Sequence, residues 1–317
     1  MTVVLEAAEV LALGAPGAVS ALREALRGGL DPDAGVPRTI VDLAHGQSLL
    51  MPAEHGDWFG VKVVNVAPEN PSLGEERING LFLLHDALTL RPVAVMDGVA
   101  LTNLRTPAVS VAGVLDVLRR RFGDSEGVRL VIFGSGPQSR GHADTIRAHL
   151  PIAGTTVVAR SVESASRAGI EGAVALAAAE VDAVGRAVAS ADVVVAATTS
   201  RTPVFDGSLV RDDAVVLAVG SHEPDVRELD SALMGRATVV VESVATALRE
   251  SGNVVLAIDD GVLTADRLVT MSGILDTDPA TLDGRPVVLA SSGMAWEDLV
   301  VGVAAYRAAV GRAEDRA

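Results

Sequence analysis

Cysteine is absent from the sequence. That one absence removes disulfides, zinc–thiolate sites, iron–sulfur clusters and thiol nucleophiles together. Covalent or redox chemistry must then come from other groups or from a bound cofactor, and no metal site is expected. Basic residues are the minority: 26 Lys and Arg face 41 Asp and Glu, for a net charge of −15. A field of that sign repels a polyanionic backbone, which argues against a nucleic-acid partner. Aromatics amount to only 3%; the accompanying excess of small aliphatic residues carries no functional message. Long apolar runs are also missing. Hydrophobic residues make up 49% of the chain, yet charges or glycines interrupt every stretch well short of the roughly 18 residues a bilayer requires, so no membrane association is expected. The opening residues, Met1 to Glu6, include no basic segment followed by a sustained apolar core, and a cytoplasmic protein is the expectation.

The 317 residues suit two domains. Up to about residue 100, short apolar runs such as Val61 to Val66, Leu81 to Leu84 and Pro92 to Val95 are separated by turn signals and read as sheet. They follow a helix ending at Gly28-Gly29 with Val19, Leu22 and Leu26 on one face. From Thr102 to Phe122 an apolar period near 3.6 predicts one long helix that stops at Gly123. The texture then becomes strand, turn, helix, repeated: strands at 129–133, 155–159, 192–197, 214–219, 238–242 and 286–290, helices near 138–150 and 173–189, and a last helix at 296–311. Continuous β-branched strands alternating with helices predict a parallel sheet buried on both faces.

The first of these strands runs into Phe133-Gly134-Ser135-Gly136-Pro137-Gln138. A glycine turn between a strand and a helix is where backbone N–H groups and the helix dipole can receive a pyrophosphate. The third glycine of the dinucleotide fingerprint is missing, so the assignment leans on the strand–turn–helix–strand context. At the end of the next strand, where an NAD enzyme usually carries a carboxylate for the ribose 2′-hydroxyl, stand Arg160 and Ser161. Guanidinium and hydroxyl suit a 2′-phosphate, so NADP(H) is expected rather than NAD(H). Glu163, three residues on, is the competing ribose partner.

Across nearly its whole length the chain resembles the ornithine cyclodeaminase and mu-crystallin family. The resemblance is carried by Val36-Pro37-Arg38-Thr39, Leu50-Met51-Pro52-Ala53, Val61 to Asn70, Val95-Met96-Asp97-Gly98, Leu101 to Ser110, the Gly134 turn, Ala191 to Ser200, Pro224 to Asp230 and Ser291 to Asp298. It implies an α/β fold with a Rossmann dinucleotide-binding domain (111–289) inserted in an α+β substrate-binding and dimerisation domain (1–110 plus 290–317), and a homodimer. Arg38 matches the family's carboxylate-binding arginine and Lys62 the lysine beside the reacting carbon. Both suit their chemistry: a guanidinium pairs with a carboxylate through two parallel hydrogen bonds, and desolvation lowers a lysine pKa. Met51 matches a methionine packing on substrate, although it reads equally well as core. Arg105 and Thr106 match residues near the cofactor phosphates and nicotinamide, Gly136 and Gln138 the pyrophosphate turn, and Thr198, Val219, Ser221 and Gly293 positions lining the nicotinamide.

One departure from the family pattern bears on activity. Where the cyclodeaminases and related archaeal alanine dehydrogenases carry an acid/base aspartate, two residues before Pro224, this chain has His222. That substitution looks like the ketimine-reductase branch, with Glu223 and Asp225 as conceivable substitutes for the carboxylate. The expected activity is NADPH-dependent reduction of a small, cyclic ketimine carboxylate such as pyrroline-2-carboxylate or piperideine-2-carboxylate, with Lys62 or His222 as proton source. Ornithine cyclodeamination, an alanine-dehydrogenase-like oxidation, and a non-catalytic protein that holds NADPH and a small ligand are the alternatives.

Overall fold

Alternation of inward and outward side chains between Thr39 and Asp97 folds as a run of antiparallel strands. In the computed structural model, which describes residues 2–314, the chain opens with β1 (Val3–Leu5), α1 (Ala7–Leu11) and α2 (Gly14–Arg27). Strands β2 (Thr39–Leu43), β3 (Gly46–His55), β4 (Trp58–Val66), β5 (Ile78–Asp86) and β6 (Pro92–Asp97) follow, and then the long helix α3 (Gly98–Phe122). The six strands lie in the order β1-β6-β5-β4-β3-β2. The β1–β6 pairing is parallel and the others are antiparallel. Register puts Met51 opposite Lys62 and Lys62 opposite Phe82, so these side chains share one face with Val64, Leu84 and Met96, all buried.

The second group of elements is parallel throughout. It comprises β7 (Val128–Phe133), α4 (Pro137–Arg147), β8 (Ile152–Ala159), α5 (Val162–Ser166), β9 (Val174–Ala177), α6 (Val181–Ser190), β10 (Val193–Ala196), β11 (Val215–Ala218), α7 (Ser231–Arg236), β12 (Thr238–Val241), α8 (Val244–Glu250), α9 (Gly252–Asp259), β13 (Leu268–Thr270), α10 (Met271–Leu275) and β14 (Val287–Ala290). Strand order is β13-β12-β14-β11-β10-β7-β8-β9. Counted from β7, the run β9-β8-β7-β10-β11 is the 3-2-1-4-5 order of a doubly wound dinucleotide-binding sheet, with β14 returning between β11 and β12. Strands β10, β11 and β14 are buried at every residue, which is why they read as unbroken apolar runs rather than alternating ones. The chain ends in α11 (Ala295–Glu314).

Contacts divide the chain into two units, one reaching Val109 and resuming at Met294, the other Ser110–Gly293. In the first, α11 and α2 pack together, and α11 covers the inner face of β3, β4 and β5. A side chain at Gly302 would meet the Phe82 ring at 2.7 Å, so glycine sets how closely the helix approaches. That helix supplies the second layer on this face of the sheet. Its other face keeps Val4, Leu50 and Leu81 exposed, at 61%, 36% and 51%.

Two sequence expectations are corrected. The helix expected at 173–189 begins at Val181, and residues Val174–Ala177 form the edge strand β9. The run Ala173 to Ala179 suits either state. Pairing with β8 and the Glu180 carboxylate, which accepts the Ala177 N–H at 2.7 Å, settle it as strand. Helix α3 begins at Gly98 rather than Thr102, because Asp97 accepts the N–H groups of Val99 and Ala100 at 2.9 and 2.8 Å and caps it there. Among the described residues no helix is long and apolar enough to cross a membrane.

Candidate functional site

The parallel sheet gathers most of the expected cofactor residues along its C-terminal edge, where ligands of such sheets bind. Reading across β14, β11, β10, β7 and β8, the residues just past each strand are Ser291 to Gly293, Val219 to Ser221, Ala197 and Thr198, Gly134 to Gln138, and Arg160 with Ser161. Gly134 has φ +111°, and a side chain there would strike the Ala197 carbonyl oxygen, so only glycine completes this turn. Gly136 is the residue before α4, with Pro137 in the first turn. A Cβ at Gly136 would meet nothing within 4 Å, which fits a backbone that must admit a phosphate to the helix N-terminus. Turn, helix and flanking strand ends therefore fit a dinucleotide.

Two buried carboxylates shape this edge. Glu228 accepts the Thr198 N–H and hydroxyl, both at 2.7 Å, and the Gly220 N–H at 2.7 Å, tying the loop after β10 to the loop after β11. Burial raises its pKa against the lowering effect of those hydrogen bonds. Glu242 accepts the Ser291 hydroxyl at 2.5 Å and the N–H groups of Ser292 and Gly293 at 3.0 and 3.1 Å, fixing the turn after β14. On α4, past the Gly134 turn, His142 is fully buried, with Nδ1 2.7 Å from the Gln138 carbonyl oxygen and Nε2 3.0 Å from the Ser110 hydroxyl. A carbonyl can only accept, so Nδ1 carries the proton and Nε2 accepts from Ser110. Desolvation lowers the His142 pKa to about 4 and keeps the ring neutral.

Lys62 sits in a second cluster, made by β4, α3 and α11. It is 2% exposed, and Nζ donates to Asp298 Oδ1 at 2.9 Å and to the Thr102 hydroxyl oxygen at 3.3 Å. Nζ also lies 2.8 Å from Asp298 Oδ2, an ion-pair contact outside hydrogen-bond geometry. Arg105, also buried, donates through Nε to Asp298 Oδ1 at 3.0 Å and through Nη1 to Glu297 Oε2 at 2.5 Å. The other Glu297 oxygen accepts the Met294 N–H at 2.9 Å. Two cations and two carboxylates thus compensate one another, as buried charges must. Desolvation, then the charge of Arg105, lowers the Lys62 pKa to about 8; Asp298 and Glu297 oppose that shift.

The remaining expected residues divide between interior and surface. Met51 is buried across the register from Lys62, Thr106 is buried on α3 and Arg38, half-buried, immediately precedes β2. His222 lies exposed on the loop after β11, its Nδ1 3.2 Å from the Gly220 carbonyl oxygen. Glu223 and Asp225, the conceivable substitute carboxylates, are exposed and paired with Arg201 at 3.4 and 2.6 Å. Arg160 is exposed at the end of β8, and Ser161 caps α5 by accepting the Ser164 N–H at 3.2 Å. The Glu163 carboxyl is held below its ordinary pKa, first by its hydrogen bond with Ser161.

Sequence reasoning gave no role to Glu297, Asp298, Glu228 or Glu242. A signal for the first pair was present in composition: Lys62 is the only lysine in the chain, all other fixed cationic side chains being arginines. One lysine kept inside an apolar strand asks for a buried carboxylate partner.

A model of the ornithine cyclodeaminase/mu-crystallin family matches residues 5–312. The Delta(1)-pyrroline-2-carboxylate reductase of Bacillus thuringiensis subsp. konkukian is 33% identical over 271 residues, covering 83% of this chain and 82% of that protein. The ketimine reductase mu-crystallin of Mus musculus is 32% identical over 284 residues, covering 87% and 86%. Among solved structures, Thermococcus litoralis Delta(1)-pyrroline-2-carboxylate reductase in complex with NADH and L-proline superposes with a TM-score of 0.81 at 26% identity, covering 98% of each chain.

Proposed function

The chain belongs to the ornithine cyclodeaminase/mu-crystallin family and is an NAD(P)-dependent oxidoreductase of carbon–nitrogen bonds; we propose that it reduces a small cyclic ketimine carboxylate, pyrroline-2-carboxylate or piperideine-2-carboxylate, with NADPH. The observation that carries this reading is Lys62, a lone buried lysine whose pKa of about 8 leaves it protonated at neutral pH yet ready to transfer that proton. The dinucleotide, when bound, supplies the hydride. The chain's own residues do the rest. The Gly134 to Gln138 turn and the α4 N-terminus receive the pyrophosphate, Arg38 pairs with the substrate carboxylate, and Lys62 Nζ gives its proton to the imine nitrogen. A protonated imine is electrophilic enough that orientation and one proton donor suffice.

His222 separates this activity from cyclodeamination. Releasing ammonia from ornithine needs a proton acceptor beside the substrate amine, and the two nearest carboxylates in sequence, Glu223 and Asp225, are engaged by Arg201 at the surface. Preference for NADPH rests on Arg160, whose guanidinium has no ion-pair partner among the described residues. Calorimetry with NADPH and NADH tests this part: Arg160→Ala should remove a preference of roughly 1–3 kcal/mol, and equal affinities in the unmodified protein would assign the ribose to Glu163 instead. We also propose a cytoplasmic location and a homodimer, the dimer being supported by the exposed apolar face bearing Val4, Leu50 and Leu81. The substrate proposal is tested by following NADPH absorbance with five- and six-membered ketimine carboxylates, and no oxidation with either ring would overturn it.

A further inference from the structure

We infer that Asp298 is a positioning residue that holds Lys62 in its protonated, oriented form, and that Arg105 acts against it by sharing the same carboxylate. The inference rests on the reading of Lys62 as proton donor. It begins with the geometry around one nitrogen. An ammonium has three N–H bonds. Asp298 Oδ1 takes one, and the Thr102 hydroxyl oxygen another. Thr102 can only accept from Lys62, because its own proton is given to the Gly98 carbonyl oxygen at 2.8 Å. One N–H remains for a reacting nitrogen, with its direction set by the two fixed bonds.

The same groups fix the charge. Lys62 is flanked in the sheet by Met51 and Phe82, which offer no polar stabilisation. The charged groups facing it within this unit are Asp298 and Glu297 from α11 and Arg105 from α3. Burial alone would strip the proton from such an amine. Asp298 opposes this by direct contact. Arg105 weakens the effect, since its Nε draws on the Oδ1 that also receives Lys62, while Glu297 anchors Arg105 from the far side. A lysine held by a carboxylate alone would keep its proton too firmly to transfer it. One held beside an arginine alone would lose it below neutral pH. The triad sets an intermediate value, and does so with residues 236 positions apart in sequence.

Because Lys62 is the only lysine, the test can observe it directly. Incorporating isotope-labelled lysine gives one side-chain NMR signal, which is titrated in the full-length protein with and without NADPH. In the unmodified protein the midpoint should lie near 8. Asp298→Asn should lower it by roughly 1–3 units, and Asp298→Glu should restore part of the shift. Arg105→Gln should move it the other way, so the inference can still be decided if Asp298→Asn fails to fold. In turnover, the alkaline limb of kcat should follow the same displacements while KM changes little. An unaltered Lys62 midpoint in Asp298→Asn, or a lowered one in Arg105→Gln, overturns the inference even in an active reductase. Opposite shifts in the two variants support it even if neither ketimine is reduced, a result that would fall on the substrate proposal alone.

Discussion

At the residue scale, Lys62 and His142 are both buried bases, and their surroundings keep them in opposite states. His142 has no charged neighbour among its hydrogen-bond partners, and desolvation holds its pKa at about 4 against an ordinary 6.5. Protonation is therefore easier in the unfolded chain. The sign follows: stability is complete above pH 6.5 and is lost as pH falls from there through about 4, with a ceiling on the order of 3 kcal/mol for this one group. Replacing His142 by Gln should flatten the fall of melting temperature between pH 6.5 and 4 relative to the unmodified protein; parallel curves would contradict it. Lys62, in contrast, keeps its charge through Asp298. Lys62→Met, which preserves the apolar stem, should lower kcat by on the order of 10²-fold or more, measured as single-turnover NADPH oxidation. Lys62 was legible in sequence because a lysine interrupts an apolar strand run. Asp298 was not, because nothing in a local window connects the first turn of α11 to β4.

At the element scale, the strand–turn–helix unit of β7 and α4 was the most legible part of the chain. Its fingerprint is local: a β-branched strand, glycines at fixed offsets and a proline in the first helical turn. The structure gives the reason for one of them, since Gly134 alone tolerates φ +111° against the Ala197 carbonyl. Gly134→Ala should displace the turn at a cost of about 1–3 kcal/mol and weaken dinucleotide binding at least tenfold, with the far-UV circular dichroism unchanged. Binding unaffected by that substitution would mean the cofactor does not lie on this turn. Edge strand β9 was missed for the converse reason. Its residues, Val174–Ala177, are small and aliphatic, and alanine-rich segments carry no period that separates strand from helix. The buried carboxylates Glu228 and Glu242 were equally invisible, since their partners are backbone N–H and hydroxyl groups on other loops.

At the scale of the whole molecule, composition limited the partners before any motif was considered, and strand order then made the α/β class unambiguous. The six-stranded sheet is covered on one face by α11, and its opposite face retains exposed aliphatic side chains. A monomer rarely leaves such a patch to water. The protein should therefore sediment at about twice 32.5 kDa, and Leu81→Glu, placing a charge in the centre of that face, should shift it toward the monomer. Each copy bears −15, so added salt should strengthen association by screening. A monomeric mass at micromolar concentration in 0.15 M salt would contradict the assignment of this face.

The central claim, imine reduction without cyclodeamination, is tested most directly by two assays on one preparation: NADPH oxidation with pyrroline-2-carboxylate or piperideine-2-carboxylate, and ammonia release from ornithine with NAD⁺. The protein should turn over at least one ketimine and release little or no ammonia. His222→Asp, run in parallel, should leave NADPH binding unchanged and raise ornithine turnover. Rapid ammonia release by the unmodified protein, with neither ketimine reduced, would contradict the account.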